Sequence, residues 1–374
     1  APVGTHLKCI APWVINLLIF VLNATHSILA NKNLWTLLVE LKSLKRSIIE
    51  LKTKMIKTIL LFIMKPTILV GGQAVIEGVM MRVPGAYATA VRDPEGNVHI
   101  DRKAFKSLGE KSWFWKKPIL RGMAGLYESM KMGMETLQWS ADIAIPDEKD
   151  KPKNKFADFF SSLLAISLAI TLFMVAPMWL TTKVMDIEKE AFTFNLTSGA
   201  FRISFFVLYL FLISRMSDVK RLFQYHGAEH RVVYNFESGK EINVLNSQSF
   251  PTQHPRCGTS FMFIVLLSAI VVFSIIDTFI MKFTGDINLF SRLAFHLPLI
   301  PLVAGISYEL IKISSRNNNL FFRALRKPGL WLQNITTRKP DDEMIEVAIL
   351  AIKKAFGDKL EKMSGKKYVA EAVG

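Results

Sequence analysis

Cysteine is nearly missing from this chain, with only Cys9 and Cys257 in 374 residues. They are far apart in different contexts, which argues against a disulfide framework. No internal repeat or low-complexity tract is present, which sets aside repeat architectures. Acidic residues are scarce beside basic ones, 31 against 47, for a net charge of +16. The basic residues flank apolar runs and do not form a striped groove with stacking aromatics, which argues against nucleic acid as a partner.

Charge is also lacking over long stretches. Hydrophobic residues make up 51% of the chain, and mean hydropathy is positive at +0.28, high for a soluble protein. The run from Phe159 to Thr182 is uncharged over 24 residues. Thr259 to Met281 is apolar except for Asp277, and Leu293 to Ile313 carries only His296 and, late, Glu309 and Lys312. Each can cross a hydrocarbon core of about 30 Å as a helix. A fourth run, Ser198 to Ser214, is interrupted by Arg202, read here as snorkelling to the interface.

The flanks give an orientation. Lys149, Lys151, Lys153 and Lys155 precede the first run, the segment between the second and third is rich in Arg and Lys, and Lys312, Arg316 and Arg323 follow the fourth. By the positive-inside rule these flanks are cytoplasmic, and Cys257 with them, as a reduced thiol or a metal ligand. The same charge implies contact with anionic lipid head groups. The expected fold is mainly α, a multi-pass plasma-membrane protein. Four transmembrane helices form two hairpins, joined by a small β-rich N-terminal unit and cytoplasmic helices.

The chain begins with Ala1, and Met64-Lys65-Pro66 reads as a start. Residues 1–63 read as an extension, with Ala11–Ala30 a weak signal or membrane segment and Leu34–Leu61 an amphipathic helix. Residues 64–155 hold a β-hairpin around Asp93-Pro94-Glu95-Gly96-Asn97, an interfacial helix over 118–141 and a charged linker. On that helix Leu120, Ala124, Met130, Met134 and Leu137 form the apolar stripe. Glu77 and Arg82 are read as an ion pair in a turn or as functional. The first transmembrane hairpin covers 156–214, a cytoplasmic segment 215–257, the second hairpin 258–313 and a helical C-terminal segment 314–374. In the last, acids follow Pro340, and Ile345, Ala348, Ile349, Ile352 and Phe356 make a helical stripe.

The segment His226-Gly227-Ala228-Glu229-His230 has the form H-x-x-E-H, the inverted zinc-peptidase motif. On a helix both rings project from one face and can share a metal ion. Glu229 beside them can take a proton from a metal-bound water. A second cluster, His254-Pro255-Arg256-Cys257, begins 24 residues past His230 at the same membrane face. Its His254 and Cys257 suit zinc together with the first pair. Glu309, 79 residues past His230, is a third candidate, matching the later-helix Glu of the inverted peptidases. Plainer readings stand beside each: a polar helix face for the His pair, a Pro-Arg turn for His254 and Cys257, and a salt bridge from Glu309 to Arg316 or Lys312.

Four ordered motifs carry a resemblance: Gly71-Gly72-Gln73-Ala74-Val75-Ile76-Glu77-Gly78-Val79-Met80-Met81-Arg82, Tyr225 to His230, His254 to Phe261, and Thr336 to Asp342. Over residues 67–357 the chain resembles the YqhQ-like family of bacterial membrane proteins, departing from its pattern at Lys339. The resemblance implies an integral membrane protein with a metal-type site and supplies no reaction.

The leading expectation is a cytoplasm-facing zinc-dependent hydrolase. His226, His230 and one of His254, Cys257 or Glu309 hold the metal, Glu229 shuttles the proton and Arg256 stabilises an oxyanion. The alternative is a non-catalytic metal staple that binds a membrane-protein partner, or a second copy, in assembly or quality control. Transport is the weaker third reading, since only Pro177 and the Pro298/Pro301 pair interrupt the apolar runs.

Overall fold

The computed structural model describes residues 42–47, 50, 70–146, 155–187, 190–285, 287–317 and 319–364. The chain divides into two units, Ala1–Pro66 and Thr67–Gly374. In the first, residues 42–47 and 50 are helical, while Ala11–Ala30, the rest of Leu34–Leu61 and most of the charged linker lie outside the described residues.

The second unit opens with an antiparallel meander of four strands in the order β1 (Gly71–Val75), β2 (Gly78–Val83), β3 (Ala86–Arg92) and β4 (Val98–Ala104). Two-residue turns join the first three strands. Glu77 (φ 50°) and Gly85 (φ 87°) supply the left-handed backbone that such turns need. The hairpin at Asp93–Asn97 forms as the sequence predicts, with the Asn97 amide donating to Asp93 at 2.7 Å. The Glu77–Arg82 pair does not form. Arg82 on β2 bonds Glu128, and Glu77 in the β1–β2 turn holds Arg221, so the two side chains reach different helical neighbours.

Helices follow: α1 (Leu120–Ala144), α2 (Phe159–Lys183), α3 (Ala191–Ile213), α4 (Ser217–Ser238), α5 (Gly258–Thr284), α6 (Leu289–Arg316), α7 (Leu320–Thr336) and α8 (Asp342–Phe356). Strand alternation gives the sheet two apolar faces. Val75, Met80 and Val91 meet Met132 of α1. On the other face Val79, Met81, Ala88 and Ala90 pack with Tyr225, Ala228 and Val232 of α4 and with Ile345, Ala348 and Ile352 of α8. Each fully buried aliphatic side chain contributes about 1.5–3 kcal/mol. This shared core, not the short turns, therefore fixes α4 against the sheet.

Helix α1 leaves most of its predicted apolar stripe exposed. Gly122, Ala124, Met132, Thr136 and Ser140 face the interior, while Met130, Met134 and Leu137 are exposed. Close packing selects the small residues: a Cβ on Gly122 would stand 2.9 Å from Gly305 Cα on α6.

Four helices are long and apolar enough to cross a membrane: α2, α3, α5 and residues 289–314 of α6. Their exposed positions include Leu164, Leu168, Ile275 and Phe279, a surface suited to lipid tails. Helix α3 begins at Ala191 rather than Ser198, so Arg202 lies well inside it. It does not snorkel: it is buried, its guanidinium 5.8 Å from the Phe273 ring. His296 on α6 is enclosed in the same way. It is fully buried, stacks on Phe273 at 3.9 Å and bonds Asp277 at 2.8 Å. Asp277 also accepts from Asn195 at 2.7 Å and Arg292 at 3.0 Å, joining α3, α5 and α6. A carboxylate in apolar surroundings persists only with such partners.

Candidate metal centre

Helix α4 starts after Met216 and stops at Gly239, whose φ of 73° ends the turn. His226 and His230 fall one turn apart, with ring centroids separated by 4.4 Å. Main-chain carbonyls orient both rings. His226 Nδ1 lies 2.8 Å from the Thr336 oxygen, and His230 Nδ1 meets the Thr252 oxygen. A ring donating through Nδ1 presents its Nε2 lone pair to a ligand.

Cys257 caps the N-terminus of α5, its Sγ 3.4 Å from the Thr259 amide. That sulfur lies 3.2 Å from His226 Nε2. Donor atoms of His226, His230 and Cys257 all fall within 4.8 Å of one another. Ligand atoms around a tetrahedral zinc stand about 3.3–3.6 Å apart, from bond lengths of about 2.0–2.3 Å. Donors this close can be drawn to one small metal ion by modest side-chain adjustment.

Electrostatics agree. Burial pushes the Cys257 thiol up, but the neighbouring His226 and His230 charges outweigh it and hold the group well below its ordinary 9.0. Burial pushes His226 down, yet the adjacent thiolate lifts it to about 9. The helix N-terminus favours the same thiolate. His254 goes the other way, to about 4, because it is buried and faces the His230 charge.

His254 lies beside the three ligands without joining them. Gln333 on α7 holds its main chain at both ends, accepting from the amide at 2.7 Å and donating to the carbonyl at 2.9 Å. Its ring centroid stands 5.5 Å from that of His230, with Nε2 3.4 Å from Arg256. Arg256 is itself paired with Glu237. Glu229 is buried next to the cluster, one carboxylate oxygen 3.4 Å from His230 Nε2. Glu309 does not belong to this site. Arg121 clasps it at 2.7 Å and the Ile119 amide bonds it at 3.2 Å, while the Arg316 side chain lies outside the described residues. The acid on α6 thus neutralises a cation at the start of α1.

A cavity of about 190 Å3 opens beside the cluster, reached by His226, Glu229, His230 and Cys257 on one side and by Gly72, Gln73 and Ser129 on the other. Supporting residues escaped the sequence reading. Thr252 and Thr336 act through their carbonyls, which no residue type announces. Gly227 lies under the Arg338 carbonyl, where a Cβ would stand 2.1 Å away. Its position inside H-x-x-E-H was the only hint. Gln333 needed α7, a helix not anticipated in detail.

A polytopic, mainly helical chain with a His-His-Cys cluster at the head of one apolar helix is the class this geometry defines. Residues 117–358, well over half the chain, match the family described as "Protein of unknown function (DUF1385)", and the chain belongs to that family. It is 31% identical to "Uncharacterized protein YqhQ" of Bacillus subtilis (strain 168) over 296 residues, covering 75% of this chain and 89% of the relative. No solved structure matches.

Proposed function

We propose that this protein is a membrane-embedded, metal-dependent hydrolase whose centre, held by His226, His230 and Cys257, faces the cytoplasm. One observation carries the reading: three donor atoms within 4.8 Å of one another border a cavity that also receives the Glu229 carboxylate. Three protein ligands leave a fourth position for water, and zinc in such a site lowers the pKa of that water to about 7. Glu229, whose carboxylate lies 3.4 Å from His230, would take the proton. Arg256 lines the same cavity, and with Glu237 already against it, it would polarise an oxyanion rather than fully neutralise it.

Orientation follows from the basic flanks of the apolar helices. The exposed Trp113 and Phe114, with Lys117 stacked 4.1 Å over the Trp113 ring, support an interfacial contact with anionic lipid heads.

The second reading, a closed staple that serves a membrane-protein partner or a second copy, is favoured by His254, close enough to His230 to turn in as a fourth ligand. Metal content and X-ray absorption on detergent-purified protein separate the two. The hydrolase reading expects one zinc per chain with three protein ligands and one light-atom donor. Zinc should be retained in Glu229→Gln and His254→Ala and lost in Cys257→Ala. Four protein ligands would establish the staple. Protein that binds no zinc at all would sink both.

A further inference from the structure

Strand β1 is the outer strand of the meander, and its far edge runs into the metal cavity. The two-residue turn after Val75 makes Val75↔Gly78 a hydrogen-bonded pair, and alternation assigns Gln73↔Met80 and Gly71↔Arg82 the same state. The N–H and C=O groups of Gly72 and Ala74 therefore point away from β2. Among the described residues, no hydrogen bond from outside the sheet reaches either main chain. The edge is closed only at its turn, where the Ile76 amide donates to Ser140 at 3.2 Å.

Two helices wall this open edge. Helix α1 lies on one side, tied by the Gln73 side chain to the Gly133 carbonyl at 3.2 Å. Helix α4 lies on the other: a Cβ on Gly72 would stand 3.1 Å from Glu229 Cγ. The space between them passes along Val70 to Gln73 and ends on His226, His230 and Cys257. The Ser129 hydroxyl lines it too, buried and without a partner among the described residues.

We infer that the substrate is an extended polypeptide segment, which adds to β1 as a further strand and lays one of its carbonyls beside Glu229. An unpaired strand edge alternates donors and acceptors along its length, and a peptide backbone is the chemistry that repeats in step with it. Lipid head groups and nucleotides have no such repeat. The paired glycines keep side chains out of the approach, and the closed turn end sets where the bound segment must stop. This inference rests on the hydrolase reading for its cleavage and on the strand edge for its binding.

Ala74→Pro removes one outward N–H while leaving the β2 pairing intact, as edge prolines do. The probe is fluorescein-labelled, reduced and carboxymethylated lactalbumin, titrated onto zinc-loaded Glu229→Gln protein with and without the proline. Loss of even one of the edge bonds weakens binding about fivefold or more, with zinc content unchanged. A second measurement is independent of folding: on the Glu229→Gln protein, a decapeptide N-methylated at alternate residues binds more weakly than its unmethylated twin. Equal binding of the two peptides overturns the inference. Zinc-dependent hydrolysis of p-nitrophenyl acetate without peptide binding also overturns it and leaves the hydrolase standing. Edge-dependent peptide binding by protein that takes no zinc supports the strand edge and removes the hydrolase.

Discussion

His226 Nε2 lies 3.2 Å from Cys257 Sγ across 31 positions of sequence, and each group displaces the other's ionisation. His226 titrates near 9 instead of 6.5, while Cys257 ionises well below 9.0. The two shifts both favour an imidazolium–thiolate pair over the neutral one, and binding a cation there requires the loss of the imidazolium proton.

The pH dependence of stability follows. Folding raises the pKa of His226, so its contribution is complete below 6.5 and is lost as pH rises through about 9. Folding lowers that of Cys257, so its contribution is complete above 9.0 and is lost as pH falls through the folded value. Between about 6.5 and 9 the folded and unfolded chains bind equal protons on this pair, and stability is flat. Below 6.5 the unfolded chain binds one more, and stability falls. Thermal unfolding of metal-free wild type against Cys257→Ser across that range checks it: the variant, lacking the ion pair, unfolds at a lower temperature on the plateau.

Gly227→Ala tests the contact beneath the motif. Its Cβ would stand 2.1 Å from the Arg338 carbonyl and 3.3 Å from the Thr252 side chain. Overpacking of this kind costs about 1–3 kcal/mol. The expected result is a lower unfolding midpoint together with weaker zinc binding, because Thr252 and the 336–338 segment also orient the two imidazoles. Unchanged zinc affinity in the variant would separate the motif from its backing.

Asp277→Asn tests the buried polar group shared by α3, α5 and α6. The carboxylate is fully buried and accepts from Asn195, Arg292 and His296. Removing its charge takes the Asp277 counter-charge from the buried Arg292, a loss of about 3–5 kcal/mol. Detergent-solubilised protein should unfold at a markedly lower temperature with zinc content per folded chain unchanged.

Long periodic or uncharged runs were legible because composition alone decides them: the apolar helices, the stripe of α8 and the Asp93–Asn97 hairpin. The His pair and Cys257 were legible because metal chemistry restricts residue type. What escaped depends on distant neighbours. Arg202 read as an interface residue because single-run hydropathy cannot see Phe273 on α5. Glu309 read as a ligand because its cation, Arg121, stands 188 positions earlier. On α1 closeness to Gly305 selects small residues for the packed face, and the spacing of the larger apolar ones does not mark so distant a neighbour.

The Thr336 carbonyl that orients His226 comes 110 positions later in the chain. During synthesis both imidazoles emerge first, then α5 with the thiol, then α6, and only then α7. A growing chain therefore carries all three donor side chains before the carbonyl that orients His226, which arrives only with α7. The ordered arrangement of this cluster is therefore among the final features the chain completes, after the apolar helices before it have been made.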